Sequence, residues 1–314
     1  MAKRVGPNAG TVTPTCRSCL LDGDLSPLCR REPVVIALIT DSASQMPESL
    51  AKRLGVTVVP VTVTVDGVDY LEGVDLTADD FYSKLGAAER LPTVTTSQPT
   101  AGAFLLAFER QVLAGASALL AILVGSAYSG AVNSAEVAAQ TMQRRHPGIE
   151  VEIVDSTTAS FGISSAVWAA ATAVESGASL AEARQAALDR AVVTGSVFMI
   201  DGTELARRSG RFDDLDLEAG IPVLASDATG LSSLGDVSTI EDGIGLMADR
   251  LLARAPNVVV AIGRAARATD PVTDALLERL QSAPTVVDLV EYRVGPSIAA
   301  HTGPNTVGGF SFPA

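Results

Sequence analysis

The apolar positions of this chain follow two rhythms. Short continuous apolar runs at 34–40 (VVIALIT), 118–124 and 151–154 have strand length, and unbroken runs of this kind suit a sheet covered on both faces. Between them lie helix-length stretches with spaced apolar positions: 48–54, closed by Gly55, then 99–113 and 134–145. Strand, helix and strand in that order read as parallel βαβ units. The run 56–65 is rich in β-branched residues but interrupted by Pro60, which predicts an edge position or the end of one strand and the start of another. Asp66-Gly67 then signals a turn, 68–70 a short strand, and 75–85 a capped helix. Residues 34–160 are therefore expected to form an α/β domain around a doubly wound, four-stranded parallel sheet.

From residue 161 the pattern changes to an alanine-rich helix ending at Glu175. A second helix over 179–193 follows, with Ser179 and Glu182 spaced as a capping box. Strand-like runs at 196–200, 221–225, 258–263, 285–290 and 307–312 alternate with helices at 239–253 and 270–282. This predicts a second α/β domain over 161–314 with a mixed sheet and helices, and residues 66–84 are open to packing on it. No repeat of 20–50 residues is visible.

Composition narrows the function classes. The chain has 314 residues, enough for two cores, and 47% hydrophobic content marks a globular protein. A formal net charge of -13 sets the overall field against a phosphate backbone, so no nucleic-acid partner is expected. Apolar runs such as 165–174 are too short to span a bilayer, and the first fifteen residues lack the continuous apolar stretch of a secretory leader. The expected location is cytoplasmic, without an integral membrane segment; transient membrane contact is left open. Cys16, Cys19 and Cys29 all fall in a Pro/Gly/Thr-rich lead-in, where 1–33 reads as a loosely ordered extension. Cys16-x-x-Cys19 has metal-ligand spacing, but His146 and His301 are remote in sequence, and neither a metal nor a cofactor is implied.

The chemistry concentrates in two hydroxyl-rich openings of helices. In 91–104 (LPTVTTSQPTAGAF), Thr95, Thr96, Ser97, Gln98 and Thr100 surround Pro99; in 124–139 (VGSAYSGAVNSAEVAA), an apolar run opens into another helix. Unpaired amides at a helix start carry partial positive charge and, with neighbouring hydroxyls, suit an anion such as a carboxylate or phosphate. Ordinary helix capping is the competing account. In an open α/β sheet ligands sit at the carboxyl ends of the strands, where Asp41-Ser42, Thr62, Ser97, Ser126, Ser129 and Asp155-Ser156 all fall.

The TTSQPT segment, SAYSG followed by NSA, and the paired turns ITDSASQMP and IVDSTTASFG occur in the order and spacing of the DegV family. The chain resembles its fatty-acid-binding members from about residue 34 to residue 312. The resemblance implies a fatty acid between two α/β domains, its carboxylate toward the Ser/Thr loops. It also implies a non-enzymatic, substrate-presenting role beside the ATP-binding subunit of a fatty acid kinase. Carried over position by position, it marks Ser97 and then Thr62 as carboxylate contacts, with Thr96, Ser129 and Gly130 shaping the pocket. Two positions depart from the family. Arg264 stands where fatty-acid-binding members have histidine, and it could pair with a carboxylate or phosphate or turn outward. Ala131 stands where threonine is usual. Arg207, Arg208 and Arg211, in LARRSGRF, match a family turn and are expected to dock the kinase partner. His301, in HTGP, is expected to hold its turn.

A serine hydrolase or acyltransferase acting on acyl esters is the alternative. No G-x-S-x-G elbow is present, and a triad would need His301 beside Ser97 or Ser129. Neither G-x-x-x-x-G-K-[ST] nor G-x-G-x-x-G occurs to mark a nucleotide site.

Overall fold

The computed structural model describes residues 34–200, 203–210 and 221–314. The three cysteines, the expected extension 1–33 and Arg211 lie outside the described residues. The first sheet has the order β2 (Val56–Val59), β1 (Ile36–Asp41), β6 (Ala118–Leu123), β7 (Glu150–Asp155), and all three pairings are parallel. Every residue of β6 is buried. Successive strand residues point to opposite faces, so both faces of β6 are covered, which is why its sequence is a continuous apolar run.

Helices α3 (Ala101–Leu113) and α4 (Ala131–Arg145) supply Phe104, Phe108, Ala135 and Met142 to the core of this sheet. The same core takes Ile163, Val167 and Ala170 from α5 (Phe161–Glu175), and Ala183 and Ala187 from α6 (Leu180–Val193). Residues 161–193, assigned from sequence to the second domain, thus bury most of their apolar side chains in the first, while Phe161 and Trp168 of α5 pack with Tyr292 and Phe312 of the second sheet. A parallel sheet needs a second helical layer, and these two helices supply it. The Ser179–Glu182 capping box that starts α6 forms in full.

The second sheet is mixed, with the order β10 (Gly230–Val237), β9 (Ile221–Asp227), β8 (Gly195–Met199), β13 (Val307–Pro313), β11 (Val258–Arg264), β12 (Val286–Arg293). Only β11 and β12 run parallel. Val258, Val260 and Ile262 pack against α8 (Ile240–Leu252) and α9 (Asp270–Gln281), while the alternate residues Val259 and Ala261 face the opposite way.

Pro60 does separate two strands: β2 joins the first sheet, and β3 (Thr62–Val65) joins a three-stranded antiparallel sheet with β4 (Val68–Leu71) and β5 (Val94–Ser97). Val63, Val65, Leu76 and Phe81, the last from α2 (Ala78–Ala87), pack with Val259, Ala261, Tyr292 and Phe312 on the open face of the second sheet. Strand β5 replaces the loop read from sequence over 94–97, because β-branched Val94, Thr95 and Thr96 find the unpaired edge of β3. A short helix, α10 (Pro296–Thr302), leads into β13.

Candidate functional site

A cavity of ≈ 220 Å³ lies between the two sheets. The first sheet's loops reach it through Val124, Tyr128, Ser129, Gly130 and Thr158; the second sheet contributes Ser196, Phe198, Ser226, Tyr292 and Phe310. The three-stranded sheet adds Val61, Thr96 and Gln98 at its margin, and α10 adds Ser297, Ile298, His301 and Thr302.

Two aspartates at strand ends set the loops around this cavity. Asp41 Oδ2 accepts from Val124 N at 3.0 Å; Asp155 Oδ1 accepts from Thr157 N at 2.8 Å and Ser126 N at 3.2 Å. The aspartates of the paired DS turns therefore act as braces, while Ala43, Thr158, Ala159 and Ser160 of the same turns line the cavity. Asp41 is fully buried, and this burial pushes its carboxyl up to about 7. Gly125 is required here, since a Cβ would come within 2.8 Å of the Thr157 backbone.

The two hydroxyl-rich openings meet across Gly130, where an added Cβ would lie 2.9 Å from Gln98 Nε2. Ser129 Oγ accepts from Ala131 N, the first amide of α4, at 3.3 Å, and the same residue lines the cavity. Thr96 Oγ1 lies 2.9 Å from His301 Nε2, and both residues line the cavity. His301, expected only to hold its turn, thus belongs to the cavity wall. Its HTGP context is the sequence signal.

Strand alternation divides the other expected residues. Thr62 and Ser97 are cross-strand partners on β3 and β5, and they share the face opposite to Thr96 and the fully buried Val63. Ser97 is exposed, Thr62 is half-buried, and neither lines the cavity, although each is flanked in sequence by residues that do. Arg264 is not among the lining residues either. At the end of β11 it binds Glu291 at 2.5 Å, Asp274 at 2.7 Å and Asp270 at 3.4 Å, and pairing with Glu291 and Asp274 pushes its pKa further up. An arginine holding three carboxylates has no need of a ligand's. It departs from the expected pocket role because its neighbours on β12 and α9 are acidic. On α7 (Thr203–Ser209), Arg207 and Arg208 are exposed and Arg208 pairs with Glu204 one turn away, whereas Arg211 lies outside the described residues.

A buried polar cluster beside the cavity was not visible in the sequence. Glu72, 6% exposed, accepts from Ser42 Oγ at 2.5 Å, Ser297 N at 2.9 Å and Gln45 Nε2 at 3.3 Å. Gln45 Nε2 also donates to Ser297 Oγ at 3.1 Å, and Gln45 Oε1 accepts from Gly295 N. Burial raises the Glu72 carboxyl above its ordinary range against the lowering effect of these donors. The cluster ties the end of β1, the loop after β4 and the start of α10, so it holds Thr96 and His301 in register. His301 Nε2 meets Thr96 Oγ1, the contact that joins α10 to β5 at the cavity wall. Among the described residues no group of acidic, His and Cys side chains could hold a metal ion, and no helix is long and apolar enough to cross a membrane.

Comparison with known proteins gives one consistent answer. A DegV-domain protein of Streptomyces coelicolor is 29% identical over 279 residues, covering 87% of this chain and 96% of its own length. One from Halalkalibacterium halodurans is 30% identical over 282 residues, covering 87% and 96%. The structure of a Thermus thermophilus DegV-family protein, described by its fatty acid binding, superposes with a TM-score of 0.79 at 27% identity, covering 90% of this chain and all of the other. The model of the family described as uncharacterised protein, DegV family, matches residues 35–314, and the chain belongs to that family.

Proposed function

We propose that the protein binds a long-chain fatty acid in the cavity between its two sheets, with the carboxylate at the Thr96–His301 end, and presents it to a fatty acid kinase partner. The observation that carries this reading is the cavity itself. Its lining combines the polar Thr96, Gln98, Ser129 and His301, of which Thr96 and His301 meet, with the apolar Val61, Val124, Phe198, Leu231 and Phe310. Burying methylenes contributes about 0.8 kcal/mol each, whereas a hydrogen bond to a charged head nets about 1.5–3 kcal/mol. Affinity then comes mainly from the tail, and the hydroxyls choose which end enters. The fatty-acid-binding relative at 27% identity supports the ligand class. In this reading Thr62 and Ser97 stand at the rim, on the face of β3 and β5 opposite to Thr96, and Arg264 is a structural residue. Arg207 and Arg208 form the docking turn, with the fatty acid kinase's ATP-binding subunit as partner. No side chain is assigned a catalytic role.

The test is denaturing extraction of purified protein followed by mass spectrometry, paired with titration of octadecanoic acid and octadecanol. A stoichiometric fatty acid is expected, and Thr96→Val should weaken the acid roughly 10–100-fold, the equivalent of one lost charged hydrogen bond, and the alcohol far less. An empty extract, or equal losses for acid and alcohol, would refute the reading.

A further inference from the structure

The wall that the second sheet gives to the cavity is not purely apolar. Ser196 on β8 and Ser226 on β9 are cross-strand partners, so their side chains stand side by side on one face of the second sheet, and both line the cavity. Ser196 is only 5% exposed. Among the described residues, neither hydroxyl makes a hydrogen bond, whereas the nearby buried hydroxyls of Ser164 and Ser165 on α5 and of Thr194 just before β8 do: Ser164 with Ser44 O, Ser165 with Gly162 O, Thr194 with Arg190 O. Phe310 is the other cross-strand neighbour of Ser196, and Leu231 that of Ser226, so the pair sits in an otherwise apolar collar.

A plain alkyl tail laid over this pair would desolvate two hydroxyls and return no hydrogen bond to either, which is an unfavourable design for a site that gains its affinity from methylenes. A ligand oxygen at that depth removes the mismatch. The depth follows from the strand: Thr306, just before β13 and near the His301 end, also lines the cavity, and Phe310, level with Ser196, is four residues on, about 13 Å at roughly 3.3 Å per residue. That distance places the oxygen in the middle or outer part of an acyl chain, far from the carboxylate.

Resting on the fatty-acid reading above, we propose that the preferred ligand is an oxygenated long-chain fatty acid, with a mid-chain hydroxyl held between Ser196 and Ser226. A hydroxyl group both donates and accepts, so it can pair with both serines at once, and the Phe310–Leu231 collar covers the methylenes on either side.

The test titrates delipidated protein with octadecanoic, 2-hydroxyoctadecanoic, 10-hydroxyoctadecanoic and 12-hydroxyoctadecanoic acids. At least one mid-chain hydroxy acid should bind tenfold or more tightly than octadecanoic acid, while the 2-hydroxy acid, whose hydroxyl lies at the carboxylate end, should show no such gain. The Ser196→Ala/Ser226→Ala double variant should bind the mid-chain hydroxy acid at least tenfold more weakly and octadecanoic acid more tightly, inverting the order. Ser226→Ala alone, at the half-buried member, serves if the double variant does not fold, and should shift the ratio in the same direction. Octadecanoic acid binding as tightly as both mid-chain hydroxy acids, or an order unchanged by the serine substitutions, overturns the proposal and leaves the fatty-acid reading standing. Failure of all four acids to bind overturns both.

Discussion

Removing the Glu72 carboxylate tests whether the polar cluster holds the site together. Glu72 sits in the loop after β4, yet its three donors come from the end of β1, its short following turn and the start of α10: Ser42 Oγ, Gln45 Nε2 and Ser297 N. In Glu72→Ala, Gln45 keeps Ser42 O at 2.9 Å and Ser297 Oγ at 3.1 Å, but the buried Ser297 amide loses its acceptor, which costs about 1–3 kcal/mol. The void left by the side chain and the lost Ser42 bond bring the expected total to about 2–5 kcal/mol. Glu72→Gln retains the shape and the acceptor for Ser297, and its amide can donate to Ser42 Oγ, so about 1 kcal/mol or less is expected. The carboxylate itself is costly to bury, as its raised pKa shows, and the neutral amide avoids that term. Urea denaturation gives the stabilities, and amide hydrogen exchange over 295–302 reports whether α10 loosens locally. In Glu72→Ala that exchange should quicken and fatty acid retention should fall, because α10 carries His301. A Glu72→Ala variant within 0.5 kcal/mol of wild type, or a Glu72→Gln variant as damaged as Glu72→Ala, would refute the role assigned to the cluster.

Asp41, with a folded-state value of about 7 against an ordinary 3.8, binds more protons folded than unfolded between those values, so its contribution makes stability fall as pH rises from about 4 to about 7. At 1.36 kcal/mol per unit this is on the order of a few kcal/mol, and Asp41→Asn should flatten that slope in denaturation curves taken at a series of pH values; an unchanged slope would show that Asp41 is not its source. Reversing charge at the docking turn with Arg207→Glu/Arg208→Glu should leave extracted lipid unchanged while slowing ATP-dependent conversion of the bound acid by a kinase partner, since rim charges act chiefly on association. Loss of lipid in that variant would move the arginines from docking to binding.

The first sheet was legible because its burial requirement is written in the residues that satisfy it. A strand covered on both faces must be apolar at every position, and β6 is; a proline cannot continue a ladder, and Pro60 marks the passage from one sheet to another. The capping box of Ser179 and Glu182 was equally local. What periodicity does not carry is the destination of a helix. The alanine-rich α5 presents small residues on most sides, so its pattern states that it is buried without stating where, and only the assembled core shows it covering the first sheet. Glu72 was hidden for the same reason. In the turn LEGVD it looks like a solvated acid, and its partners lie on elements distant in the sequence.

The site was half legible, and the division follows from one misassigned element. Read as a loop, residues 94–98 offer every hydroxyl equally to an anion, and Ser97 takes precedence from the family motif. Formed as β5, the same residues alternate: Thr96 turns inward to His301, while Ser97 pairs with Thr62 on the outer face. The motif located a segment that reaches the cavity and could not choose the face, since facing depends on the register with β3, a strand some thirty residues earlier. Arg264 shows the complementary failure. Its charge made it a plausible anion ligand, but charge alone does not reveal that Asp270, Asp274 and Glu291 already surround it. A hydroxyl bonded to one histidine therefore has more claim on an anionic ligand than a cation already paired with three carboxylates, because it has fewer partners to give up.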